Sequence, residues 1–222
     1  QARNFYGVVA VAESRYRDHP EQDHRSFYSG QTTHGHQFLA RDRKREASTY
    51  YAPESGVGET LRYLMKTYPS LDVAVVGLGA GTLANYARVT DTYDFYEINP
   101  EAVRIANAWF DNLGQCKARQ QRILIGDARL KIEQQPPSQI YDIIILDAFT
   151  GHSVPIHLLT REAFATYARH LKPKGFISVH ITNSYLNLYP VVKAQALQLG
   201  FGYRSKFQPS DKERNVLRNQ HF

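Results

Sequence analysis

From residue 71 onward, short apolar runs alternate with amphipathic stretches; before it they do not. Val73-Ala74-Val75-Val76 and Ile143-Ile144-Ile145-Leu146 are unbroken apolar runs, the pattern of strands buried on both faces. The alternation predicts strand 71–77, helix 81–89, strand 93–98, helix 100–110, strand 122–126, helix 128–134, strand 141–147, helix 160–171, strand 175–181, helix 189–199 and strand 202–207. Asn99 before Pro100 is a cap with proline at the first helical position, and Thr160 can cap a later helix. Repeated strand–helix units predict a mainly parallel, twisted α/β sheet with helices on both faces. Upstream, residues 5–11 and 25–28 are rich in β-formers and lack a helical period, with a turn signal at Ser29-Gly30. They predict a small antiparallel β-unit. Residues 50–56 join it to a helix from Gly58 to Lys66, with Leu61, Leu64 and Met65 on one face. The expected division is a β-unit over 1–52 and an α/β domain over 53–222. After Lys206 the chain is polar, with no clear final strand.

The chemistry gathers at the ends of the predicted strands. Gly77, Gly79 and Gly81 follow the first apolar run at alternate positions, the strand–glycine turn–helix opening of a Rossmann-like nucleotide-binding unit. Glycine lets backbone approach a ligand closely, and a helix beginning here would add unpaired N–H groups. A dinucleotide fingerprint would need its third glycine at Thr82. The G-x-G-x-G spacing is that of S-adenosylmethionine-type pockets, which hold a nucleoside and a sulfonium; a ligand-free tight turn has the same pattern. Glu97 ends the second strand about 20 residues on, where an acid takes ribose hydroxyls. Asp127, in Gly126-Asp127-Ala128, is either an adenine contact or a helix cap. Asp147 ends the fourth strand, as a site residue or a loop cap, before residues 148–155, long enough to cover a pocket.

Composition narrows the partners. A chain of 222 residues with 42% hydrophobic content suits one α/β domain with a small appendage. The net charge of +6 permits nucleic acid or an anionic membrane nearby but is modest, and no nucleic-acid partner is expected. No run approaches the roughly 20 apolar residues of a membrane helix, and no signal peptide is visible. Cys116 is the one cysteine, so no internal disulfide forms and a reducing, cytoplasmic compartment is expected. Gln1 in place of an initiating methionine fits a piece of a longer or processed protein. His34 and His36 have no third ligand at suitable spacing, so they are expected to be polar residues of the β-unit and no metal is expected. The charge run over 41–46 is expected to be a solvated loop.

Together these residues resemble the spermidine/spermine synthase family, the polyamine aminopropyltransferases, with particular likeness to bacterial members fused to a membrane-spanning region. The likeness covers nearly the whole chain. It rests on Gly35-His36-Gln37, Tyr50-Tyr51, the run from Val75 to Gly81, Glu97-Ile98-Asn99 for E-I-D/N, Gly126-Asp127-Ala128 for G-D-G/A, residues 141–147 for Y-D-V/I-I-I-x-D, and Pro155. Methyltransferases usually carry an acid two residues before the first glycine; here Val75 stands there. The resemblance implies a Rossmann-like AdoMet-transferase fold and decarboxylated S-adenosylmethionine or S-adenosylmethionine (AdoMet) as cosubstrate. It implies cosubstrate binding by Gln37, Tyr51, Gly77, Gly79, Gly81, Glu97, Asp127 and Ala128. It further implies Tyr50 and Thr150 on the substrate and Asp147 as the catalytic group on an amine such as putrescine. A homodimer and a membrane-spanning region in the parent chain follow from the same likeness. Two acids usual in the family are absent, with Ala80 inside the glycine loop and Thr150 three residues after Asp147. The nucleoside site therefore looks retained and the polyamine site altered. The C-terminal strands that complete the family's sheet are not evident. A methyltransferase or other AdoMet-dependent alkyl transferase, and a non-catalytic nucleoside-sensing domain of a membrane protein, are the alternatives.

Overall fold

The computed structural model describes residues 1–136, 140–148, 155–183, 186–208 and 220–221. The chain opens with β1 (Ala2–Asn4), β2 (Gly7–Ser14), β3 (His24–Ser29) and β4 (Thr32–Phe38), an antiparallel sheet in chain order. Val11 pairs with Phe27, and His24 with Phe38. A 3₁₀ turn, Thr49–Tyr51, leads to helix α1 (Gly56–Thr67), whose first turn is capped where Gly58 N–H donates to Ser55 Oγ at 3.0 Å.

The larger sheet comprises β5 (Asp72–Val76), β6 (Thr92–Glu97), β7 (Gln120–Ile125), β8 (Tyr141–Leu146) and β9 (Leu171–Val179). Among the described residues these five run parallel in the order β7-β6-β5-β8-β9, so the strand order switches direction between β5 and β8. The connections are helices α2 (Pro100–Trp109), α3 (Ala128–Glu133) and α4 (Arg161–His170), with α5 (Tyr189–Gln198) following β9. The unbroken apolar runs are explained by two cores. Val73, Val75, Ile143 and Ile145 face a cluster with Leu61 and Leu64 of α1. Ala74, Val76, Ile144 and Leu146 face another with Ile132 of α3 and Phe164 and Tyr167 of α4. The fold is Rossmann-like α/β, with a small antiparallel sheet in front. Helix α2 joins the two: its Ala102 and Ile105 pack on Val9 and Phe27 of the small sheet.

Three predicted elements differ. Residues 81–89 form no α-helix but a 3₁₀ turn, Thr82–Tyr86. Tertiary bonds hold this stretch short: Tyr86 Oη donates to the Tyr51 carbonyl, and the Arg88 guanidinium to the carbonyls of Met65 and Tyr68. So short a turn supplies no helix dipole to the glycine loop. Strand β9 begins at Leu171 rather than 175, passing through Pro173 and a register shift against β8. Proline is tolerated because, among the described residues, β9 lies at the edge of the sheet. The strand predicted over 202–207 does not extend the main sheet; Phe207–Gln208 (β10) pairs antiparallel with Gln220–His221 (β11).

The small sheet carries a pH dependence. His36 is 2% exposed and stacks on His24 with ring centroids 4.6 Å apart. Burial, with a smaller repulsion from His24, moves the His36 pKa from 6.5 down to about 3. Above 6.5 neither folded nor unfolded chain protonates this ring. As pH falls toward 3 the unfolded chain takes a proton that the fold refuses, so stability falls, by up to about 1.4 kcal/mol per pH unit. Urea unfolding at pH 7 and 5 should show that loss, and His36→Phe should reduce it, leaving the share of His34, whose pKa burial also lowers.

Candidate active site

A cavity of about 260 Å³ lies where the carboxyl ends of β5, β6, β7 and β8 meet the small sheet. Two glycines of the loop after β5 are required sterically. At Gly77 (φ +99) a Cβ would lie 2.2 Å from the Asp147 carbonyl oxygen, and at Gly79 (φ +53) 2.4 Å from that of His34. The same His34 carbonyl accepts the Ala80 N–H at 3.0 Å. The loop is thus pressed between β8 and β4.

Glu97 stands beside this loop. Its Oε2 accepts the Leu78 N–H at 3.0 Å and its Oε1 the Asn99 N–H at 2.8 Å. Burial pushes its carboxyl up, and these amides pull it back. Each oxygen retains acceptor capacity for a further donor. Asp127 lines the cavity next to Ala128 and also caps α3, accepting the Leu130 N–H on Oδ1 at 3.1 Å. Its Oδ2 lies 3.0 Å from His157 Nε2. Glu97→Gln should weaken methylthioadenosine by about 1–3 kcal/mol, the range for a hydrogen bond to a charged acceptor; unchanged affinity by calorimetry would remove Glu97 from the site.

Asp147, 7% exposed, is held from two sides. His180 Nδ1 lies 2.8 Å from Oδ1, and Tyr51 Oη donates to Oδ2. Tyr50 Oη is 3.0 Å from Tyr51 Oη, and its ring stacks on His180 at 4.5 Å. Burial, reinforced by the Asp147 charge, raises both tyrosines far above their ordinary pKa, so they remain neutral. His180 escaped the sequence reading. Its signal was its place just past an apolar strand, as Asp147 is past β8; its N–H donates to Leu146 O at 3.0 Å. His34, read only as a polar residue of the β-unit, lines the cavity.

Other expected residues lie elsewhere. Gln37 is not in the cavity wall. Its amide N–H bonds Asn112 Oδ1 at 3.1 Å and Lys44 O at 3.2 Å, and its oxygen accepts the Asp111 N–H at 3.0 Å. These bonds tie β4 to the segment after α2. Gly81, in the left-handed region, caps the 3₁₀ turn against Leu113. Ala80 is fully buried and not itself in the cavity wall; it packs with Ile105 and Phe110 and with Val9, Phe27 and Ala102, which do line the cavity. Thr150 and the rest of 149–154 lie outside the described residues. Among the described residues, no three His, Cys, Asp or Glu side chains converge as a metal site would need, and no helix is long and apolar enough to cross a membrane.

The sheet order and the glycine loop beneath a cavity define a Rossmann-like α/β fold. The chain resembles a polyamine aminopropyltransferase in sequence over 53% of its length and spermidine synthases in fold. No family model matches it. A polyamine aminopropyltransferase of Vibrio vulnificus is 32% identical over 123 residues, covering 53% of this chain and 39% of the relative. The match thus spans less than half of that relative's length. A probable spermidine synthase from Corynebacterium glutamicum superposes with TM-score 0.69 at 21% identity, over 98% of this chain and 76% of that one. Spermidine synthase from Thermotoga maritima gives TM-score 0.55 at 14% identity, over 95% and 70%. Human methyltransferase-like protein 13, in complex with SAH, gives 0.51 at 20% identity, over 68% and 70%. The spermidine synthase folds therefore match 95–98% of the chain and the methyltransferase fold 68% of it.

Proposed function

We propose that this chain is an aminopropyltransferase-like domain that binds decarboxylated AdoMet or AdoMet and transfers its alkyl arm to a small-molecule amine such as putrescine. The observation that carries the reading is Asp147: a buried carboxylate at the β8 end, held by Tyr51 and His180 and bordering a cavity that Glu97 and the glycine loop also wall. In this reading Glu97 takes the ribose hydroxyls, Asp127 and Ala128 border the adenine, and the sulfonium lies over Gly77 and Gly79. The amine lone pair attacks the carbon next to sulfur. The carbon–sulfur bond breaks, its electron pair goes to sulfur, and methylthioadenosine leaves. An amine is protonated near neutral pH, so one proton must leave the ammonium first; Asp147 accepts it or passes it to water. Holding nucleophile and sulfonium in line supplies much of the rate. Tyr50 and Thr150 are read as amine contacts, Tyr51 as the group that orients Asp147. Residues 1–52 form the unit that closes one side of the site, and 53–222 the nucleoside-binding part. The homodimer, the cytoplasmic location and a membrane-spanning region in the parent chain belong to the same reading.

The test is product formation. Decarboxylated AdoMet with putrescine should yield spermidine and methylthioadenosine in equal amounts. Methylated product from AdoMet, with no aminopropyl transfer, would replace the reading by a methyltransferase; nucleoside binding with no turnover of any amine would make the domain a sensor.

A further inference from the structure

We propose that His34 is a specificity-determining contact of this site, its Nε2 accepting a hydrogen bond from the ammonium at the end of the cosubstrate's alkyl arm. This rests on the proposed function above and goes further by assigning the group that reads the arm.

The acids of the cavity already have partners: Glu97 two backbone N–H groups, Asp127 Leu130 and His157, Asp147 Tyr51 and His180. His34 differs. It is 8% exposed and lines the cavity, yet its Nε2 is buried without a hydrogen-bond partner in the protein. A buried polar atom left so costs stability unless something satisfies it, and a turn of the His34 ring would present Nε2 to a ligand in the cavity that the residue lines.

The strand order says which part of that ligand. Asp127, Glu97, Gly77 and Asp147 follow β7, β6, β5 and β8, four neighbours in the sheet. With ribose at Glu97 and purine toward β7, the arm on sulfur points to the β5–β8 side. There the His34 carbonyl abuts Gly79, and the His34 side chain feels the charges of Asp147 and His180. Burial holds its imidazole below its usual pKa, against the pull of Asp147. A neutral ring repels neither a sulfonium nor an ammonium, and its unprotonated nitrogen accepts an ammonium N–H. The glycine loop itself offers no acid there, since residues 77–81 are Gly-Leu-Gly-Ala-Gly.

The experiment is calorimetry of wild type, His34→Leu and His34→Gln with decarboxylated AdoMet and, in parallel, methylthioadenosine, which lacks the aminoalkyl arm. His34→Leu should weaken decarboxylated AdoMet about tenfold or more and leave methylthioadenosine within twofold. His34→Gln, whose amide oxygen accepts, should recover part of the loss. The clamp on the glycine loop uses the His34 backbone, so side-chain changes leave it in place. Equal losses for both ligands would make the ring a packing element and overturn the assignment, as would no loss for either. If wild type binds neither ligand, the functional reading falls and this assignment with it; if it binds both and the ratio does not move in the variants, the assignment alone falls. Should the leucine variant not fold, His34→Phe, which keeps a ring, is read in the same way.

Discussion

Asp147→Asn should cut turnover with an amine acceptor by about 10²–10⁴-fold, the usual worth of a positioned general base. Methylthioadenosine affinity should stay within a few-fold. The substitution keeps the shape and removes the charge. An asparagine oxygen can still accept from His180, and its NH₂ can donate to Tyr51 Oη if that hydroxyl turns, so the buried cluster keeps its partners. What disappears is the acceptor for the ammonium proton and the negative field that holds a cationic nucleophile. A matched fall in kcat and kcat/KM would mark an interaction made in the transition state. Collapse of nucleoside binding instead would make Asp147 a structural cap, and the catalytic assignment would fail.

The parts of this chain that rest on local pattern were legible. Two-sided burial of β5 and β8 follows from unbroken apolar runs, and the Asn99 and Thr160 caps from side chains that satisfy the first turn. Strand-end acids could be read because a parallel sheet sends its carboxyl ends to one edge. What was not legible depends on contacts distant in sequence. Residues 81–89 have a helix-compatible composition, but Tyr86 and Arg88 are claimed by carbonyls 20 to 35 residues away. Gln37 has the expected chemistry, but Asn112, about 75 positions on, takes its amide. His180 joins Asp147 because β9 lies beside β8, an adjacency that no short window contains. The direction of a loop side chain is equally non-local, and Ala80 is where that matters most.

Read by position, Ala80 is a missing acid whose restoration should rebuild an ammonium site. Its surroundings predict the opposite. The side chain is fully buried beside Val9, Phe27 and Phe110, and a Cβ on Gly35 would be 3.0 Å from its own Cβ. Ala80→Asp therefore puts a carboxyl into a tight apolar cluster at the joint between the two sheets. An uncompensated buried charge costs about 3–5 kcal/mol, against a typical total of about 5–15 kcal/mol. The thermal midpoint should fall by roughly 10 °C or more for a chain of this length. The sign with pH is fixed. Burial raises the folded-state pKa of the new carboxyl above its unfolded value near 3.9. The deficit relative to wild type is therefore full at high pH and shrinks as pH falls through the raised pKa, because the neutral acid is less costly to bury. Ala80→Val, which adds volume without charge, should show a smaller deficit that does not vary with pH. Thermal melts of the three proteins at pH 5 and pH 8 separate the contributions. If Ala80→Asp melts with wild type and binds decarboxylated AdoMet more tightly, the loop side chain faces the cavity, and the apolar joint described here is wrong.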